Sequence, residues 1–328
     1  MNKFEQCPSN IPEVPEEADN QEKPFEILKD ILKPEEIIRI EAKGEKREGS
    51  LPILYIPGWG ETSESTSPLL DVLSQDNDVI SFDQPREERI DKDFAKNKFE
   101  GEFSALQLQK AFAVIEAIKK SGYNQVDAVG ASEGGAVLAT AAYLAPEKFR
   151  NITLMEPAGM MGKDSFFKLA KRFGIDHAKQ NRERPEEQQE QVATGKADFR
   201  KFWKKNLLQS VKEIKEMSEA DITDMIAGLH ELGIGISLVN HVNSKVFDSD
   251  AVQKEISKKL VDRSGDEHKV LVDGVYTIMS KRENEDGEME TYDGGHADIR
   301  YDKNFQKQLL EIVRALADKS VKKQDENK

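Results

Sequence analysis

The chain has 328 residues, 34% of them charged and 37% hydrophobic, and a formal net charge of −14. Its length allows a substantial core, while its acidity argues against a nucleic-acid groove or an anionic membrane surface as partner, since both select Lys and Arg. No run approaches the roughly 18 uninterrupted apolar residues of a membrane span, and one cysteine, Cys7, excludes an intramolecular disulfide.

Residues 1–24 are rich in Pro, Glu and Asn and lack an apolar signal core, so a disordered arm and a cytoplasmic address are expected. Short β-branched runs follow at 37-IIRIEA-42, 51-LPILYI-56, 78-DVISF-82, 125-QVDAVG-130, 151-NITLM-155, 234-IGISLVN-240 and 275-VYTIMS-280. Most are continuous rather than alternating, as strands of a parallel sheet buried on both faces should be. Helical patterns lie between them. One spans 104–122, with Ser104 as N-cap and Gly122 as stop; others span 132–145 and 303–318, and 319–328 reads as a disordered tail. From 163 to 231 only charged helical sequence is found. The alternation predicts an α/β fold with a doubly wound, mostly parallel sheet. Its core spans 25–162 and 232–318, with 163–231 inserted as a helical cap. The apolar cap residues Phe166, Phe167, Leu169, Phe202, Leu207 and Val211 are expected to pack on the core or line a pocket rather than enter a membrane.

The stretch 130-GASEGG-135 follows an apolar run and opens a small-residue helix. Gly130-Ala131-Ser132-Glu133-Gly134 fits G-x-S-x-G, whose serine stands on a sharp strand-to-helix turn. Two readings compete. Glycines can mark close packing alone, or they can make room for a nucleophile held up at the corner. No G-x-G-x-x-G, P-loop lysine, H-E-x-x-H or Cys/His cluster is present, so neither cofactor nor metal is expected.

With 56-IPGWGE-61 before it and 294-GGHAD-298 after it, the motif resembles the α/β-hydrolase superfamily, in particular its cap-bearing esterase, lipase and C–C-hydrolase-like branch. The resemblance covers about residues 36–318. It implies Ser132 as nucleophile, His296 as general base, and the backbone N–H groups of Trp59 and Glu133 as the oxyanion hole. The plainer alternative is a tight turn with Trp59 as a core anchor. His177, His230 and His268 read as cap or loop residues, and His241, at a strand end, as a weaker candidate base. The acid departs from the family pattern. Aligning on Val246-Phe247 puts Ser244 or Asn243 in the acidic slot, and neither is a carboxylate. Asp248 is the first candidate acid, with Asp250 and Glu156 as alternatives; each could also be a surface or helix-capping acid.

The expected activity is hydrolysis of an ester or related acyl bond of a small-to-medium substrate through an acyl-enzyme. C–C bond hydrolysis or acyl transfer by the same Ser/His pair stays open, as does a non-catalytic ligand-binding or protein-interaction module of this fold.

Overall fold

The computed structural model describes residues 31–86, 90, 93, 103–183, 202, 204, 207–262, 269–283, 288–292, 296 and 301–326. The expected arm over 1–24, with Cys7, lies outside the described residues, as do His268 and the side chain of His177. The seven predicted runs become strands β1 (Ile37–Ile40), β2 (Ile53–Ile56), β3 (Val79–Phe82), β4 (Val126–Ala131), β5 (Phe149–Met155), β6 (Gly235–His241) and, after two short strands described below, β9 (Gly274–Ile278). They form one sheet in the order β1-β3-β2-β4-β5-β6-β9. All pairings are parallel except β1 with β3. Every residue of β2 to β6 is buried, whereas edge strand β1 is largely exposed. That contrast explains the unbroken apolar runs: a strand covered on both faces has no side on which water would favour polar residues.

The helices flank this sheet. α1 (Ser67–Leu73) and the final helix supply Leu69, Leu70, Leu73, Phe305, Leu309 and Val313, which pack with Ile53, Tyr55, Val129 and Val239 into one core. Each fully buried Leu or Ile contributes about 1.5–3 kcal/mol of transfer free energy. α2 (Ala105–Lys120) starts at the predicted cap, where Ser104 accepts a hydrogen bond from the Gln107 N–H at 3.0 Å. It packs on α3 (Glu133–Leu144), whose small side chains let two helices and β4 approach closely.

Between β5 and β6 lie α4 (Phe166–Glu183), α5 (Leu207–Glu219) and α6 (Thr223–Glu231), with no strand among the described residues. α4 and α5 pack on each other, but α6 packs on α3 and β6. It thus lies against the core, directly before β6. The apolar cap residues divide: Leu169 is buried, while Phe167, Leu207 and Val211 are exposed. No helix among the described residues is long and apolar enough to cross a membrane.

Three features depart from the sequence reading. A helix, α7 (Ser249–Lys259), follows β6. Short strands β7 (Val261–Asp262) and β8 (Lys269–Val270) pair with each other, as do β10 (Lys281–Glu283) and β11 (Met289–Thr291). The last helix, α8 (Lys303–Glu326), runs through the segment expected to be a disordered tail. Lys319 reaches Asp273 at 2.6 Å and Ser320 bonds Asn151, so tertiary partners hold a sequence that composition alone leaves unsupported.

Candidate active site

The parallel strands deliver their C-terminal ends to one edge, where open α/β sheets place ligands. At the end of β4, Ser132 has φ 51° and ψ −118°. This left-handed conformation costs a non-glycine residue about 1–3 kcal/mol and persists only where surroundings over-determine it. Here the Ser132 N–H donates to Met155 O at 2.9 Å, and its carbonyl accepts from Gly135 and Ala158, each at 3.0 Å. The flanking glycines are required by space. A Cβ on Gly130 would meet Gly134 O at 2.6 Å, and one on Gly134 would meet Pro57 O at 2.5 Å. The packing reading and the chemical reading of this corner are therefore compatible: the glycines permit the turn that holds Ser132, which is 4% exposed.

The loop after β2 comes against the same corner, because a Cβ on Gly58 would lie 3.2 Å from Ser132 Cβ. Its turn is closed by Glu61 N–H to Gly58 O at 3.1 Å and by Gly58 N–H to Glu61 Oε2 at 2.7 Å. Trp59 is buried, its ring 6.0 Å from Phe173 and 5.8 Å from Phe202. Glu133 is the first residue of α3, so its amide has no acceptor within the helix. Of the two residues named for the oxyanion hole, Trp59 thus follows the glycine that touches Ser132 and Glu133 follows Ser132 itself.

The residue after β5 is Glu156, fully buried and also at positive φ, 43°. Its N–H donates to Val239 O at 2.8 Å, and its Oε1 accepts the His241 N–H at 2.9 Å. Its Oε2 is bonded to His296 Nδ1. The His296 ring sits edge-on to Phe247 at 5.2 Å and to Phe173 at 5.8 Å. Burial, the largest influence, disfavours the imidazolium, but Glu156, Asp176 and Glu61 together outweigh it and raise the His296 pKa above 6.5. Among the described residues no hydrogen bond joins Ser132 Oγ to His296, whose Nδ1 is engaged by Glu156.

The first-choice acid does not reach this histidine. Asp248 is exposed and caps α7, accepting the Ala251 N–H at 2.9 Å. Asp250 is exposed in the first turn of the same helix, where negative charge is favoured. Ser244, in the family's acidic slot, accepts the Phe247 N–H at 3.2 Å. Of the acids considered, the structure brings only Glu156 to His296. His241 is structural: its Nδ1 accepts the Asn243 N–H at 3.0 Å, which leaves Nε2–H to donate to Ser280 Oγ at 2.8 Å. His230 lies on α6, away from these strand ends, its pKa lowered by burial.

Sequence reasoning missed two groups. Asp176, from α4, is buried beside His296 and accepts the Lys245 N–H at 3.0 Å; burial raises its pKa, with His296 and backbone N–H groups opposing. The other group is a buried charge cluster behind the serine. Lys110 of α2 lies 2.7 Å from Glu133 and 3.1 Å from Glu213 of α5, and Arg86 lies 2.5 Å from Glu213. Burial pushes the Glu133 carboxyl up, opposed by Lys110; Glu213 feels the same burial but is held low by Lys110, Arg86 and the Trp59 indole. A lysine in an otherwise apolar face of α2 was the only signal in the sequence.

A family model described as alpha/beta hydrolase fold matches residues 52–233. Among solved structures, an esterase from Exiguobacterium antarcticum superposes with a TM-score of 0.54 at 11% identity, covering 85% of this chain and 94% of that one. The enol-lactonase from Burkholderia xenovorans LB400 gives a TM-score of 0.55 at 10% identity, covering 85% and 96%. A meta-cleavage product hydrolase from Pseudomonas fluorescens IP01 gives 0.52 at 14%, covering 85% and 93%. At such identities the likeness is one of fold. No curated protein matches the sequence.

Proposed function

The chain belongs to the α/β-hydrolase fold family, and from that premise we propose that it is a serine hydrolase of a carboxylic ester or related acyl bond. The observation that carries the reading is the Glu156–His296 contact at strand ends adjoining the Ser132 turn. With Nδ1–H donated to the carboxylate, His296 Nε2 is left as a base. Ser132 Oγ attacks the acyl carbon while its proton passes to Nε2, and the tetrahedral oxyanion is held by the Trp59 and Glu133 amides. The carbonyl re-forms, the alcohol leaves with the proton from Nε2, and water, deprotonated by the same nitrogen, releases the acid. The Ser132–His296 hydrogen bond is one that catalytic pairs often complete only with substrate bound. Phe173 and Phe247, whose rings meet His296, favour a small-to-medium acyl group with apolar character. The single cysteine supports a cytoplasmic address.

The test is hydrolysis of p-nitrophenyl acetate, butyrate and octanoate, with fluorophosphonate labelling, by wild type and Ser132→Ala. Turnover and labelling that both vanish in Ser132→Ala support the assignment. Wild-type rates no higher than those of Ser132→Ala, with no labelling, point instead to a non-catalytic binding module.

A further inference from the structure

Glu213 is fully buried, yet it comes from the inserted helix α5 rather than from the sheet core. Its two oxygens are fully used. Oε2 accepts Trp59 Nε1–H at 2.8 Å and Arg86 Nη2–H at 2.5 Å; Oε1 accepts Lys110 Nζ–H at 3.1 Å and Arg86 Nε–H at 3.3 Å. Lys110 continues to Glu133 Oε1 at 2.7 Å. One carboxylate of the insertion is thereby linked, directly or through one lysine, to the side chains of both residues whose amides form the proposed oxyanion hole. Arg86 adds a second tie, its guanidinium 3.3 Å from the centre of the Phe202 ring that also packs on Trp59.

Stability does not account for this arrangement. Two carboxylates and two cations balance in charge, but each loses its hydration on burial, and well-packed apolar residues in place of such a cluster are often neutral or stabilising. What the cluster supplies and apolar residues would not is direction. The indole N–H and the ammonium each have a fixed acceptor, which sets the Trp59 ring and, through its short loop, the Trp59 amide.

We infer that Glu213 is a positioning residue that seats the oxyanion hole against the inserted helix, so that a correctly docked insertion is a condition for catalysis. The inference rests on the proposed roles of Ser132, Trp59 and Glu133. Donor placement within a fraction of an ångström governs transition-state stabilisation, and loss of a donor costs about 10²–10³ in rate, so partial misplacement should cost about 10- to 100-fold.

The experiment compares wild type, Glu213→Gln, Trp59→Phe and the double variant in kcat, KM and affinity for a trifluoromethyl ketone, which forms a tetrahedral adduct on serine. Trp59→Phe keeps an aromatic ring but removes the pyrrole part of the indole with its N–H, so it tests the link even where Glu213→Gln folds poorly. The expected result is a fall in kcat of about 10- to 100-fold for each single variant. KM should stay within about threefold, inhibitor affinity should fall with kcat/KM, and the double variant should be no worse than the worse single one. Unchanged kcat in Trp59→Phe, or a loss confined to KM or to the fraction of titratable sites, would overturn the inference. Ser132→Ala in the same assay separates the two levels: if it abolishes turnover while Trp59→Phe is unaffected, only the role of Glu213 fails. Retained turnover in Ser132→Ala sinks both.

Discussion

Replacing Glu156 by Gln tests the proposed acid at the level of single hydrogen atoms. Glu156 Oε1 accepts the His241 N–H at 2.9 Å, and Oε2 faces His296 Nδ1. A glutamine has one carbonyl and one amino group, and the backbone N–H of His241 can be met only by the carbonyl. The amino group is then directed at His296 Nδ1, which must become an acceptor. The proton moves to Nε2, the nitrogen that has to take the proton from Ser132. Volume and burial hardly change, so the fold should persist while the base is in the wrong tautomer. The equivalent loss in a Ser-His-Asp enzyme costs about 10⁴ in kcat. At about 1.36 kcal/mol per decade that is ~5.5 kcal/mol of transition-state stabilisation. The assay is steady-state hydrolysis of p-nitrophenyl butyrate by Glu156→Gln, with Asp248→Asn alongside. Asp248 only caps α7, so its asparagine variant should stay within about twofold of wild type, because Asn caps nearly as well. Glu156→Gln retaining a tenth or more of kcat, or Asp248→Asn losing most of it, would refute the assignment.

The pH profile and the sheet give two further tests. His296 must be neutral to act as base, and its pKa is raised above 6.5, so kcat/KM should fall as pH drops through a value above 6.5. Asp176→Asn keeps an acceptor for Lys245 N–H but removes one of the carboxylates that favour the imidazolium, so the acid limb should move to lower pH with maximal kcat nearly unchanged. An unmoved or upward-shifted limb contradicts this account of His296. At the opposite end of the strands, Arg150 and Asp127 form a buried pair with contacts of 2.5 and 3.0 Å, and Asn151 also donates to Asp127. Asp127→Asn leaves a buried guanidinium without its countercharge and should cost about 3–5 kcal/mol in urea unfolding, with ester hydrolysis little altered in the folded fraction. A loss below about 1 kcal/mol would mean that water reaches the pair.

The seven strands were legible because burial on both faces of a parallel sheet writes itself into consecutive residues: 152-ITLM-155 carries no charged residue for the same reason that every residue of β5 is buried. The turn at Ser132 was legible too, since its glycines, strand and helix are contiguous in the chain. The stretch between β5 and β6 was visible as missing strand signal, but the packing of α6 on α3 and β6 was not, because a helical pattern is the same whichever partner it meets. Which candidate acid lies against His296 was not legible for a related reason. Asp248 suits a rule about distance along the chain, whereas Glu156 meets His296 across 140 residues, a proximity that exists only in the folded chain. Nor does periodicity report that Lys110, Glu133 and Glu213 share one buried site, the last 103 residues from the first. Local sequence determined which segments become strand, turn and helix, since those depend on backbone preference and on which faces are covered. Which charges meet in the interior was decided only when the sheet order brought distant segments together, because desolvation and Coulomb attraction act over ångströms in space and leave no period in the chain.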